Sequence, residues 1–194
     1  MTESDPVFQH GDRTAGYPYT AGEYARRLMW QCAWLALVRC SPPRAYGWRR
    51  FWLCRFGADM AHPSGVRPTT RIYHPWLFSM GRWSVIAGGV TIYNLGPIRI
   101  GEHVVISQDA YLCAGSHDYS QPDLPLLRPP ITIESGVWIG AGAFIGPGVT
   151  VGRNSVIGAR AVVVKDVPQG VVAAGNPARV VKERKMGGRS EGDS

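Results

Sequence analysis

The sequence predicts a mainly β fold, a parallel β-helix of triangular cross-section with an α-helical extension on its N-terminal side. Three observations predict it. From Ile133 to Pro168 the chain reads in sixes: Ile133-Glu-Ser-Gly-Val-Trp138, Ile139-Gly-Ala-Gly-Ala-Phe144, Ile145-Gly-Pro-Gly-Val-Thr150, Val151-Gly-Arg-Asn-Ser-Val156, Ile157-Gly-Ala-Arg-Ala-Val162 and Val163-Val-Lys-Asp-Val-Pro168. The same spacing recurs earlier, at Met80, Ile86 and Ile92, and again at Ile100, Ile106 and Leu112. Ahead of all these lies a largely apolar run, Leu28 to Val38, behind the helix-start pattern Thr20-Ala-Gly-Glu23.

An aliphatic residue opens every window. Glycine follows it at 140, 146, 152 and 158, and the fifth place holds Val137, Ala143, Val149, Ser155, Ala161 and Val167. A period of six matches neither the 3.6 of a helix nor the 2 of an ordinary strand. It describes a short strand plus a turn. Three such units make one coil, the opener points into the prism, and coils must stack because no unit buries its face alone. Edge strands with glycine turns in some other β fold are the alternative, and six unbroken windows argue against it. The pattern resembles the hexapeptide-repeat acyltransferases, and this implies that the β-helix is left-handed.

At 194 residues the chain is expected to form one domain with a helical extension. Its charged content of 18% is low, as expected if much of the chain is repeat and much surface meets other subunits. A net charge of +7 and a pI near 9.5 favour an anionic partner. The cysteines at 32, 40, 54 and 113 form no C-x-x-C pair and no zinc spacing, which points to reduced thiols in a cytoplasmic protein. The polar start, Met1-Thr-Glu-Ser-Asp-Pro6, is not that of a signal peptide.

In order along the chain, residues 1–19 are expected to be flexible. In Thr20-Ala-Gly-Glu23 the hydroxyl and the carboxylate each satisfy a free amide at a helix start. That helix should run to about Val38 or Cys40 and stop at Pro42-Pro43. Its apolar run is too short for a bilayer, which needs about twenty residues, so it should cap the solenoid or meet a neighbouring subunit. The alternative is a basic, Trp-rich helix lying on a membrane surface. A second helix is expected from Pro43 to Phe56, with Gly57 as its stop. Its alternation of Arg44, Arg49, Arg50 and Arg55 with Trp48, Phe51, Trp52 and Leu53 comes with no nucleic-acid recognition motif. Residues 20–60 make the extension and 61–184 the β-helix, whose coils begin, irregularly at first, from about Val66. Asn94-Leu-Gly-Pro97 breaks the register. A proline-rich loop, 117–130, interrupts it fully, and extruded loops are where function concentrates. The chain should leave the repeat after Pro168, and 185–194 reads as a disordered tail.

Of the five histidines, His117 stands where the loop leaves the coil. Attack of a sugar hydroxyl on a thioester needs a base whose pKa lies near neutrality. No nucleophile elbow is present, so direct transfer without an acyl-enzyme is the simpler scheme, with rigid turn amides as candidate oxyanion donors.

Two segments carry a closer resemblance: Gly81 to Pro97, with Tyr93-Asn-Leu-Gly96, and Ile106 to Ser120, with Ser116-His-Asp-Tyr119. From about Trp48 to Arg184 the chain is similar to the acetyltransferases of colanic acid and exopolysaccharide biosynthesis, relatives of the maltose and galactoside O-acetyltransferases. The resemblance implies acetyl-CoA as donor, a sugar acceptor, no metal, and a homotrimer with active sites between subunits. It implies His117 as base, with Asn94 touching the acceptor or the oxyanion. Trp138 would lie near the thioester. Ala141, Ala159, Val164 and Lys165 would line the coenzyme A groove, and Arg179 and Lys182 its nucleotide end. One departure stands out. The glutamate that orients the histidine in maltose-type enzymes is missing, Pro125-Leu-Leu-Arg128 occupies that region, and Asp118 or Asp123 is the candidate replacement.

Three other readings compete. An acyltransferase acting on an amino sugar or an antibiotic shares every feature above. A zinc enzyme of the γ-carbonic-anhydrase type needs three converging histidines, whereas only His103 and His117 fall in the repeats. A non-catalytic scaffold would bind no acetyl-CoA.

Overall fold

The computed structural model describes residues 19–185; the expectations for residues 1–18 and 186–194 lie outside it. Its body is a parallel β-helix. Three vertical columns of residues face the interior, and their register gives the stack. The first runs Met60, Met80, Ile100, Ile133, Val151 and Val167. The second runs Val66, Ile86, Ile106, Ile139, Ile157 and Ala173. The third runs Ile72, Ile92, Leu112, Ile145 and Val163. All are buried, as are the fifth-place residues Val137, Ala143, Val149, Ser155, Ala161 and Val167. Two of every six side chains therefore fill the prism. The glycines after the openers serve close approach: a Cβ on Gly140 would stand 2.6 Å from the amide nitrogen of Ala159 in the next coil.

The solenoid begins earlier than expected. Asp59–Met60 already pairs with Ser79 and Met80, so Met60 and not Val66 opens the first coil. It also ends later, because Val171–Gly175 pairs with Val156 and Ile157 and puts Ala173 in the second column. The chain then doubles back as Ala178–Glu183, antiparallel to Val171–Gly175, and covers that edge of the sheet.

Helix α1, Ala21–Ala33, begins with the expected capping box and continues as a π-helical turn, Trp34–Arg39. Helix α2, Tyr46–Arg55, starts three residues later than expected: Pro42 and Pro43 form the turn before it, and the Pro43 carbonyl accepts from Arg49. Gly57, at φ +98°, ends it as predicted.

The interleaved basic and aromatic residues have a structural role. Each coil donates its strand N–H groups to the next coil, as Arg71 does to Val90 and Arg67 to Ile86. The first coil is left with outward carbonyls at an open sheet edge, which would otherwise invite pairing with another chain. The extension supplies donors to four of them. Trp30 Nε1 reaches Ile72, Trp34 Nε1 reaches Thr70, Arg49 Nε reaches Val66 and Arg50 Nη1 reaches Met60. Arg49 is wholly buried, and its guanidinium also bonds Ser41, Pro42 and Pro43. The outer face of the extension keeps Leu28, Met29, Leu35, Trp48 and Phe51 exposed. Among the described residues no helix is long and apolar enough to cross a membrane.

Candidate active site

The corner after the third column is where the coils differ. In coils four and five it is tight, taking six residues from Ile145 to Val151 and four from Val163 to Val167. In the first two coils it takes eight, from Ile72 to Met80 and from Ile92 to Ile100. In the third it expands into the loop between Leu112 and Ile131. The break at Asn94–Pro97 and the long loop are thus one structural event, stacked on one edge of the prism.

His117 lies on this edge and is exposed. Ser116–His117 pairs antiparallel with Leu126–Leu127, so the loop rises as a short hairpin. His117 Nδ1 lies 2.6 Å from the Leu124 carbonyl oxygen. A carbonyl only accepts, so Nδ1 carries a proton and, in the neutral ring, the lone pair is on Nε2, the tautomer a general base requires. Leu124 sits at φ +44°, which aims its carbonyl back across the hairpin. The orienting group is thus a main-chain oxygen. The expected side-chain replacement does not fill that role here: the Asp118 carboxylate accepts from Ser120 N and Oγ and from Gln121 Nε2. Those Ser120 bonds, the side-chain one first, hold its pKa below the usual carboxylate value.

Asn94 is also elsewhere than expected. It is fully buried and clamps the second coil to the first. Its Oδ1 accepts from the His74 amide at 2.9 Å, and its Nδ2 donates to the His74 carbonyl. Its own carbonyl accepts from His74 Nδ1 at 2.8 Å. Each end of the side-chain amide makes one bond to the His74 main chain. His74 is buried against Trp76, and burial lowers its pKa, so the ring is neutral. The paired Tyr73-His74 and Tyr93-Asn94, twenty residues apart, were the sequence signal for this clamp.

Of the other predicted residues, only Val164 and Lys165 share the edge of His117. Trp138 is half exposed on the second face, its ring fixed by a bond from Nε1 to Ser107 Oγ at 3.0 Å. Ala141 and Ala159 stack at the corner after the second column, where the Arg160 amide donates to the Ala141 carbonyl. Val164 and Lys165 are exposed at the corner after the third column, the edge from which the His117 hairpin rises. Register carries Trp138 to Val156, Val156 to Val172 and Val172 to Lys182, so Lys182 ends a row that passes through Trp138. Three strand spacings put it about 14 Å further along the axis. Arg179 lies beside Ala174 on the same returning strand. One chain therefore carries two groups on different edges: the histidine hairpin with Val164 and Lys165, and the Trp138–Ala141–Ala159 wall with the basic strand beyond it. Among the described residues no three His, Cys, Asp or Glu side chains gather in a way that could hold a metal ion.

A stacked triangular solenoid with an extruded histidine loop defines a hexapeptide-repeat acyltransferase. Residues 130–165 match the family model described as bacterial transferase hexapeptide (six repeats). The chain is 38% identical over 166 residues to the putative colanic acid biosynthesis acetyltransferase WcaF of Escherichia coli (strain K12), covering 86% of this chain and 91% of that one. The acetyl-CoA complex of the hexapeptide-repeat acetyltransferase VCA0836 of Vibrio cholerae O1 biovar eltor superposes with a TM-score of 0.79 at 28% identity, over 89% of this chain and 94% of that one. A galactoside acetyltransferase in complex with coenzyme A superposes with a TM-score of 0.78 at 30% identity, over 87% and 86%. The chain belongs to the hexapeptide-repeat acetyltransferases, with the left-handed parallel β-helix of that family, and within them to the colanic acid biosynthesis acetyltransferase family.

Proposed function

We propose that the protein transfers acetyl from acetyl-CoA to a sugar hydroxyl of an exopolysaccharide or capsule precursor, by direct attack, at sites shared between subunits of a homotrimer. The observation that carries this reading is the Nδ1 bond of His117 to the Leu124 carbonyl. It leaves Nε2 free to take the hydroxyl proton while the sugar oxygen bonds to the thioester carbonyl carbon. Collapse of the tetrahedral intermediate breaks the carbon–sulfur bond, and the proton on His117 passes to the leaving thiolate. Solenoid turn amides, fixed in direction, are suited to hold the oxyanion.

Acetyl-CoA fits the wall in charge and in length. Trp138 marks the thioester end, Ala141 and Ala159 leave room for the pantetheine arm, and Arg179 and Lys182 meet the phosphates. The separation of His117 from this wall within one chain is what a shared site requires, with the base from one subunit and Trp138 from its neighbour. The similarity to WcaF supports a polysaccharide sugar as acceptor.

Thiol release from acetyl-CoA, measured with a panel of sugars and amino sugars, tests the reading. The expected result is release that depends on a hydroxyl acceptor and yields a hydroxylamine-labile ester. Release only with amino sugars, giving a hydroxylamine-stable amide, would contradict O-transfer; no release with any acceptor would contradict transfer altogether.

A further inference from the structure

The two faces of the helical extension differ. The inner face meets the first coil, where Trp30, Trp34, Arg49 and Arg50 donate to carbonyls that point along the prism axis, away from the second coil. The opposite face therefore looks outward from the end of the stack. On α1 and its π-helical turn it carries Leu28, Cys32 and Leu35, spaced i, i+4 and i+7. On α2 it carries Trp48 and Phe51, with Arg55 one turn beyond. Leu28 is 63% exposed, Leu35 58% and Phe51 57%, so nothing in the chain's own packing covers them. A bond of 2.7 Å from Trp48 Nε1 to the Leu37 carbonyl locks the two helices into one surface. A groove of about 410 Å³ runs between them, with Ala36, Leu37 and Trp48 among its walls. A contiguous exposed apolar patch of this kind marks a contact surface.

We infer that this face docks the protein on an anionic lipid bilayer, with both helices lying in the plane of the headgroups. The inference stands apart from the transferase reading. Charge selects the occupant. From Tyr19 to Gly57 the one carboxylate is Glu23, and Thr20 holds it in the capping box. Arg39, Arg44 and Arg55 flank the apolar residues and are exposed. Among the described residues no partner holds any of these three guanidinium groups. Basic side chains beside an exposed apolar stripe are the composition of a helix that lies on a membrane surface. Trp48, half exposed, suits the headgroup level. A second copy of the chain docked face to face would bring like charges together, whereas lipid phosphates neutralise them. The sharing of sites proposed above joins prisms by their flanks. It leaves this end of the stack open and sets three such faces on the same side of a ring.

The test is co-sedimentation of the full chain with vesicles of phosphatidylcholine alone and of equal parts phosphatidylcholine and phosphatidylglycerol. Wild type is compared with an apolar-face variant, Leu28→Ser with Leu35→Ser and Phe51→Ser, and a charge variant, Arg39→Gln with Arg44→Gln and Arg55→Gln. Thermal unfolding and assembly mass are measured on the same samples. Both should match wild type, because every substituted side chain is exposed; if a triple variant melts early, Phe51→Ser and Arg55→Gln alone carry the comparison. Wild type should bind the mixed vesicles at least about tenfold tighter than phosphatidylcholine, and salt should weaken the binding. Each arginine near an anionic surface contributes roughly fivefold, so the charge variant should lose about a hundredfold. The apolar-face variant should lose at least about tenfold with its net charge unchanged. Absence of binding to the mixed vesicles overturns the inference, as does equal binding to both lipids. Binding that survives the apolar-face variant also overturns it, by reducing the contact to the general attraction of a chain of net charge +7. A wild-type assembly larger than that of the apolar-face variant, without vesicle binding, overturns it and assigns the face to a second copy.

Discussion

His117→Ala is expected to lose at least about a hundredfold in turnover, the contribution of a positioned general base, while the solenoid and its affinity for coenzyme A persist. The side chain is exposed at a hairpin that projects from the prism. Truncation opens no core cavity and strands no buried group, since its partner, the Leu124 carbonyl, sits in the exposed part of the loop. Thermal unfolding should therefore change little. Turnover by thiol release and coenzyme A binding by calorimetry separate the two effects. Near-normal turnover would remove His117 from the chemistry. A large drop in the melting temperature would give it a structural role.

Asn94→Ala is expected to do the reverse. The amide satisfies the buried N–H and C=O of His74. A buried polar group left unpaired costs about 1–3 kcal/mol. Two such groups come to about 2–6 kcal/mol before the residual cavity is counted, against a total of about 5–15 for an ordinary domain. The denaturant midpoint should fall accordingly. Any loss of activity should follow from misplacing the corner that carries Tyr73, Tyr93 and Leu95. If Asn94 instead acted on the acceptor or the oxyanion, activity would fall with the midpoint unmoved.

The contrast between these residues shows what sequence reveals here. The openers from Ile133 to Val163 were legible because one interior position must be filled at every sixth residue, and a prism leaves few choices. Met60, Val66 and Ile72 keep the same spacing, but His62, Arg67 and His74 stand among them, so the first coil read as irregular. Those departures have causes: this coil ends the stack, and its carbonyls are met by Trp30, Trp34, Arg49 and Arg50. Donors paired with distant main-chain oxygens leave no local pattern. The same blindness applies at the site. His117 was legible because it stands where the period fails. Its orienting partner was not, because a main-chain carbonyl has no side-chain signature, whereas Asp118 and Asp123 offer carboxylates nearby. Asn94 was legible as a special position, but its burial depends on a coil twenty residues earlier.

One active site is expected to take its base from one subunit and its coenzyme A wall from the next. Two variants inactive for different reasons test it directly: His117→Ala removes the base, and Ala159→Glu puts a charge and bulk into the wall at an exposed corner. Each is purified alone, and both are then co-expressed with different tags and isolated as mixed assemblies. In a closed ring of three with head-to-tail contacts, each mixed trimer pairs an intact histidine with an intact wall at about a third of its sites. Recovery of about that fraction of wild-type turnover is expected from two inactive parents. Mixed assemblies as inactive as the parents would contradict it and place base and wall in the same chain.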